Sequence, residues 1–559
     1  MSGVDVIANM QRGIHFTYLT GSSSATWAQK YITSGSSAWA VGPSRSASGH
    51  AMLVANPHLQ WNGWGGLLCE AHLVAPGIDM YGATFIGFPV LAIAFNQHLG
   101  WTHTMNATDP GDFYELTLTE GGYRFDDEVR LFDEKLDTLR VLGADGTLRT
   151  EELHSLWSVH GPVIAKKGDR AIADRIIGLE APQMLEQCWD MGRATNLETF
   201  ETALRRQQIP LFTVTYADRG GHIMHYFGGH TPVKSEGDFP SWQGVQHGDI
   251  SRTLWTEIHP YDDLPRIVDP PSGWLQNANE PPWTATIPNT LNPEDYPPYM
   301  TMSSTYWPRA VRSARTLAEN ERITFEDLIE LKHSTHVEFA SRIADDLITA
   351  ARKLGGPLAK RAADVLERWD QETNSDSRGA VLFILWAQEI SATMGGFQAL
   401  FSIPWNPETP FTTPDGLKDP AKAVKALEQT AKKVETNYGT LDVSWGDVFR
   451  IRVNGLDLPA NGAGDPWGIS RATFYQPAGD GLFDAVGGDT YVAVVEFADP
   501  IRARTLLTYG NSSQPHSLHK GDQFELYARK ELREAWLTRR DVEANLELRE
   551  TLNRLSEKR

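Results

Sequence analysis

Cysteine is almost missing from this chain: Cys69 and Cys188 are the only two. So few thiols exclude a disulfide scaffold and a zinc ribbon. They read either as a pair in an oxidising compartment or as two unrelated buried thiols. Basic charge is also in short supply, with 51 Lys and Arg against 71 Asp and Glu and a net charge of −20. Binding to a phosphate backbone needs clustered Lys and Arg, so a nucleic-acid partner is excluded. No apolar run approaches the roughly 18 residues of a membrane helix. The opening text, MSGVDVIANMQRG, has no basic region followed by an apolar stretch, so no signal peptide is visible. The G-x-S-x-G elbow, the H-E-x-x-H zinc motif and the P-loop are absent too, as are internal repeats.

What is present is enough for a large core: 559 residues, of which 41% are hydrophobic and 10% aromatic. Strand-like runs separated by Gly and Pro dominate the first three hundred residues, as in 51–61, 84–95 and 211–229. The Pro-dense stretch 269–299 excludes a continuous helix or central strand there. The pattern then changes. Thr324 and Asp327 form a capping box, and Phe339, Ile343 and Leu347 recur every four residues, the spacing of a buried helix face. A second helix is expected over 357–371, and helical text runs on to about 435. Strands return at 491–500 and 505–510, and the tail from Asp522 reads as helical and charged. Strands at both ends with a helical block between them predict an α+β body with a helical insertion.

Histidines offer little metal chemistry. His222 and His225 lie three apart in a strand, so they point to opposite faces and do not share an ion. A metal-dependent hydrolase built on them is the weaker alternative, since tetrahedral sites need more ligands. His333 and His336 are better spaced on a helix, but no third ligand is in sight, and both are expected to face solvent.

Small residues crowd the text YITSGSSAWAVG at 31–42. Such clusters ordinarily mark a loop. The continuation SSAWAVGPSRSASGHAMLVANPHLQW, however, resembles the start of the catalytic chain in penicillin acylases and their acyl-homoserine-lactone acylase relatives. The resemblance implies autocatalytic cleavage of the Gly35–Ser36 bond, leaving Ser36 as both N-terminus and nucleophile. A free α-amine titrates at about 7.7–8.0, so such a serine carries its own base. General-base help of this kind is worth roughly 10²–10⁴-fold.

Further motifs follow in order. His58 in NPHLQW matches the family residue that holds the serine amine, and Met105 in HLGWTHTMNATDPGDFYEL matches the oxyanion-hole backbone N–H. The side-chain amide of the hole falls on Asn279 in SGWLQNANEPPW, with Asn277 as the alternative register. Arg309 in YWPRAVRSARTLAE matches the family arginine, with Arg312 the alternative. Asp109, the Gly111 carbonyl and Asp112 match the ligands of a structural calcium that some relatives bind, and oxygen ligands suit that ion. No cofactor is implied for the chemistry. The stretch YGNSSQPHSLHKGDQFELY at 509–527 resembles a signature near the family's C-terminus, so the likeness runs from residue 5 to about 540.

The resemblance implies an N-terminal-nucleophile αββα sandwich. Residues 1–35 are expected to form the end of an α-chain and a linker, and 36–559 the catalytic chain: 36–300 mainly sheet, 301–440 helical, 441–559 a return to sheet with a C-terminal helix. It also implies a periplasmic or secreted amidohydrolase acting on an N-acylated small molecule, such as an acyl-homoserine lactone or a β-lactam antibiotic. The text around Trp101 looks closer to acyl-homoserine-lactone and lipopeptide acylases. Two departures stand out. Ser37 occupies a position that is often Asn, and only 35 residues precede Ser36, so most of an α-chain partner is missing. The alternative expectation is a truncated, inactive acylase-like protein.

Overall fold

The computed structural model of the chain describes residues 3–15, 35–62, 67–303 and 305–551. The linker expected between the first helix and Ser36 lies outside these residues, apart from Gly35. Two large sheets carry the fold. In the ten-stranded one, Met52–Gln60 pairs antiparallel with Gly35–Val41 on one side. On its other side it pairs with Tyr491–Glu496 through residues 52–55 and with Phe483–Asp489 through 58–60. Pro57 sits at this change of partner, where the ladder is interrupted and a missing N–H costs least.

The seven-stranded sheet runs from Leu68–Ala75 through Ile78–Phe85, Ile93–Asn96 and Leu99–Thr104 to Thr213–Asp218, Ile223–Phe227 and Arg266–Val268. The two sheets share an apolar cluster: Ala40, Leu53 and Val495 from the first meet Tyr81, Phe95 and Ala217 from the second. Burial on both faces explains why Gly35–Val41 is buried at every position and does not alternate. Helices cover the outer faces. Phe200, on the helix Leu197–Leu204, packs on Trp101 and Tyr216 with ring centroids 5.7 and 4.8 Å apart. Pro308–Glu319 and Phe325–Lys332 lie on the ten-stranded sheet. This is the expected αββα layering.

The helical block follows its sequence signals. Thr324 and Asp327 form the reciprocal capping box, and Phe339, Ile343 and Leu347 are buried at the start of and along Ala340–Leu354. The first half of the helix Ala380–Met394 is apolar on all sides and accordingly sits inside the block, where the helix packs on Pro420–Tyr438 and Pro357–Arg368. Three expectations fail. Residues 84–95 are not one strand: Phe85 ends one, a turn containing Pro89 intervenes, and Ile93 begins the next. His333 does not face solvent; it caps the C-terminus of Phe325–Lys332, is buried, and pairs with Arg471 at 2.8 Å. Among its described residues the tail holds two short helices, Phe524–Ala528 and Arg539–Ala544, around a two-residue strand and no long charged helix. A third, eight-stranded sheet built outward from Gly111–Thr119 ends in the exposed hairpin Asp133–Leu142/Leu148–Ser158, which the sequence reading does not distinguish from the main sheets.

The stacking of the two sheets gives a stability prediction. Leu53→Ala removes a buried side chain from the shared cluster and is expected to cost about 2–5 kcal/mol, read from the shift of a urea unfolding curve.

Candidate active site

Ser36 lies second in the strand Gly35–Val41, opposite Pro57, and is buried. On its other side that strand pairs with Trp274–Asn277, but only from Ala38 onward. At Ser36 two side chains stand where strand partners would otherwise be. The Ser36 N–H donates to Asn279 Oδ1 at 2.7 Å, and Arg309 donates to the Ser36 carbonyl. The hydroxyl has one neighbour of consequence: Ser36 Oγ donates to the Gly35 carbonyl at 2.6 Å. The nucleophile predicted from sequence therefore rests against the carbonyl of the bond predicted to break.

Gly35 has little room. A Cβ there would lie 3.0 Å from Arg309 Nη2, 3.1 Å from Asn279 Oδ1 and 3.6 Å from His58 Nδ1. A glycine lets all three groups close on the bond.

Asn279 adopts φ +79°, a left-handed conformation that asparagine tolerates better than most residues. Its Oδ1 accepts from Ser36 N–H and from Arg309 Nη2, the latter at 2.9 Å, and its Nδ2 donates to the Met105 carbonyl at 3.0 Å. Met105 and Asn279 are thus brought together on one side of Ser36. Asn277 is engaged elsewhere: its side chain accepts from Thr104 Oγ1 and Asn279 N–H and donates to the Glu280 carbonyl. Likewise Arg309, and not Arg312, reaches the serine; Arg312 donates to Ser334 Oγ. Arg309 is held in turn by Asp465, whose carboxylate takes Nε at 3.1 Å and Nη2 at 3.0 Å.

His58 faces Gly35 across the ladder. Its Nε2 lies 2.7 Å from Asn56 Oδ1 and 3.4 Å from Asp489 Oδ1, both acceptors, so the ring hydrogen resides there. Burial first, then the charges of Arg309 and Lys332, hold the imidazole well below its ordinary 6.5. The ring is neutral, and Nδ1 is a buried acceptor with no partner. Asp489 is fixed by Lys332, whose Nζ sits 3.1 Å away with both side chains fully buried.

Two cavities meet at this point. One is narrow and is lined by Ser36 and by apolar side chains including Leu59, Phe85, Phe88 and Val90, with Met10 and Ile14 from the helix Gly3–Ile14 closing a wall. The other is roomier and more open, with a mixed polar and apolar lining, and holds Gly35, Met105, Asn279, Arg309 and Asp465.

The remaining predicted residues lie apart from this centre. Asp109 and Asp112 converge, but on the ammonium of Lys234, at 2.6 and 3.2 Å. The space between the carboxylates expected to hold calcium is therefore already taken by a lysine ammonium, and the set does not fit the ion. Burial first, then the Asp109 charge, pushes Asp112 up to about 7, with Lys234 pulling the other way. His222 is exposed and bound to Asp269, whereas His225 is buried and unpartnered, so the two do not converge. Among the described residues no cluster of three or more His, Cys, Asp or Glu could hold a metal. Cys69 and Cys188 are free thiols. In the 509–527 signature, Asn511 exchanges hydrogen bonds with the Glu70 backbone and the Tyr509 hydroxyl contacts Leu68, so this segment anchors an edge strand.

Sequence reasoning missed Asn56, Lys332, Asp465, Asp489 and Glu280. Glu280 follows Asn279 and is buried, accepting from Ala278 N–H at 2.7 Å and Gln276 Nε2 at 2.6 Å, which closes the turn that aims Asn279. Only Asn56, in the quoted NPH triplet, and Glu280, beside Asn279, carried a local signal; the others come from hundreds of residues away.

Burial pushes Glu280 up to about 7 from its ordinary 4.5. An acid whose folded pKa is raised favours folding while protonated. Its contribution is therefore full below about 4.5 and is lost as pH rises through about 7. Glu280→Gln is expected to flatten that part of the stability profile, measured by urea unfolding of both proteins across the interval.

The penicillin amidase family model matches residues 5–544. The chain is 27% identical over 536 residues to an acyl-homoserine lactone acylase, PvdQ, of Pseudomonas syringae pv. tomato, covering 89% of this chain and 68% of that protein. It is 26% identical over 569 residues to an aculeacin-A acylase of Actinoplanes utahensis, covering 92% and 69%. Among solved structures, a thermostable penicillin G acylase from Alcaligenes faecalis superposes with a TM-score of 0.68 at 18% identity, covering 92% of this chain and 99% of that one. With the family model spanning nearly the whole chain, this protein belongs to the penicillin amidase family.

Proposed function

We propose that this chain is an amidohydrolase whose nucleophile, Ser36, is freed by cleavage of its own Gly35–Ser36 bond. The observation that carries the reading is the Ser36 hydroxyl, 2.6 Å from the Gly35 carbonyl oxygen, at the junction of the two cavities. In the first step Oγ bonds to the Gly35 carbonyl carbon and the Gly35–Ser36 amide breaks. The hydroxyl proton passes to the departing Ser36 nitrogen, and water then hydrolyses the resulting ester to leave a Gly35 carboxylate and a free Ser36 amine. That amine keeps Asn279 Oδ1 as an acceptor and gains His58 Nδ1 close by. Neutral imidazole at this point adds no charge and offers the amine a second acceptor that orients it, and the uncharged amine is the form that serves as base.

In turnover the amine takes the Ser36 Oγ proton through a bridging water while Oγ attacks a substrate amide. The Met105 N–H and the Asn279 side chain stabilise the oxyanion, and the leaving amine collects the proton. Water then releases the acyl group from serine. The apolar cavity suits an aliphatic or aromatic acyl group, and the more open cavity, with its mixed lining, suits the amine half. The acyl-homoserine lactone acylases among its relatives favour an N-acylated small molecule of that kind, with β-lactam amides as the alternative. A periplasmic or secreted site of action and an α-chain partner belong to the same reading.

The test is mass spectrometry and N-terminal sequencing of purified protein, alone and coexpressed with any upstream α-chain reading frame. A fragment beginning at Ser36 is expected from wild type and none from Ser36→Ala. An intact wild-type chain under both conditions sinks the reading in favour of an inactive acylase-like protein. In processed enzyme, Asn279→Ala is expected to lower kcat on an acyl-homoserine lactone by about 10²–10³-fold.

A further inference from the structure

We infer that Lys234 is a built-in cation that takes the place of a divalent metal beneath the segment Met105–Asp112. The resemblance in sequence points to Asp109, the Gly111 carbonyl and Asp112 as oxygen ligands, and these residues do lie together on that segment. What lies between the carboxylates is an ammonium. Lys234 Nζ is 2.6 Å from Asp109 Oδ2 and 3.2 Å from each Asp112 oxygen, while its third side faces the Trp242 ring, 4.2 Å from the centroid. The lysine side chain is 1% exposed, and those of Asp109 and Asp112 are 6% and 0%.

Nothing in this arrangement is left for an ion to supply. An ammonium has three donors, and here each has a target: one carboxylate, the other, and an aromatic face. Asp112 Oδ2 also accepts from Trp255 Nε1 at 2.6 Å. Gly111 lies in the ladder with Arg170–Ile176, where its pairing partner is Ile176. A calcium ion needs six to eight oxygens at 2.3–2.6 Å, and a buried ammonium between the two carboxylates both blocks that space and offsets one of the two negative charges that would draw the ion in.

The placement also has a mechanical reading. The segment leaves the strand Leu99–Thr104 at Met105 and enters Gly111–Thr119 at Gly111. Thr301 Oγ1 holds the Ala107 carbonyl at 2.6 Å, Asn106 Nδ2 holds the Gly228 carbonyl at 2.6 Å, and Lys234 fixes the far end through two carboxylates. The lysine is an anchor for the loop and touches none of the residues assigned to the reaction. The inference therefore stands apart from the proposed chemistry.

The test uses the full chain and unfolding midpoints measured with millimolar calcium chloride or with EDTA. The wild-type midpoint is expected to be the same in both. Lys234→Ala leaves two buried carboxylates without a counter-charge and opens space between them. Its midpoint is expected to fall by about 5 °C or more in EDTA and to recover at least half of that loss in calcium. Asp109→Asn combined with Lys234→Ala is expected to unfold above Lys234→Ala in EDTA and to lose the calcium response. A wild type whose midpoint moves with calcium overturns the inference, as does a Lys234→Ala protein that is indifferent to it. If Lys234→Ala yields no folded protein, calorimetric titration of wild type with calcium decides alone: no heat of binding is expected, and stoichiometric binding overturns the proposal.

Discussion

The guanidinium of Arg309 gathers four groups from distant parts of the chain: the Ser36 carbonyl, the Ser37 hydroxyl, Asn279 Oδ1 and the Asp465 carboxylate. Its planar fork lets one cation address several oxygens at fixed angles, which a lysine does not do. The geometry around Ser36 follows from that. Arg309 fixes the serine carbonyl and turns Asn279 Oδ1 toward the serine nitrogen, which leaves the Asn279 amide directed at Met105. Asp465 compensates the charge from the more exposed side. The helix Pro308–Glu319 lies on the ten-stranded sheet, so the guanidinium is delivered from a rigid element.

Around this hub the site is layered by charge. On one side, Lys332 and Asp489 form a fully buried pair that fixes the face of His58 and keeps its free nitrogen toward Gly35. On the other, Lys234 lies between Asp109 and Asp112 and offsets one of their two charges. Both are lysine–aspartate contacts sealed from water, where each partner is expensive alone and the pair is tolerated only because it is complete. The reacting region is therefore bounded by buried ion contacts, and beside Gly35 it holds a neutral, unpartnered acceptor, His58 Nδ1.

Much of this was legible in the sequence because the relevant signals are local. Ser36, His58, Met105, Asn279 and Arg309 each sit in a short stretch whose wording resembles the family, and the structure brings all five to one point. The capping box at Thr324 and the four-residue spacing from Phe339 read correctly because a helix is decided within a few turns of chain. What could not be read is pairing between remote segments. Nothing near His58 announces Asp489, and nothing near Asp109 announces Lys234; those contacts exist only once the strands are in register. The sequence favoured Asn279 but left Asn277 open as an alternative register, since the choice depends on which amide the buried turn around Glu280 consumes. The run at 84–95 misled because apolar residues mark burial whether or not the backbone is extended.

The short helix Gly3–Ile14 gains a new meaning from where it lies. Met10 and Ile14 close one wall of the apolar cavity, and Gly13 approaches Phe88 so closely that a Cβ would sit 3.3 Å from its ring. While the chain is continuous, this wall is tethered to Ser36 and rebinds as fast as it frays. Severing the bond before Ser36 turns the same contact into an encounter between two molecules, no longer favoured by a high local concentration. The helix must then hold its place by its own contacts, those of Met10 and Ile14 among them. The shape of the apolar cavity is thus only as well defined as the affinity of the segment before the cut for the body that follows it.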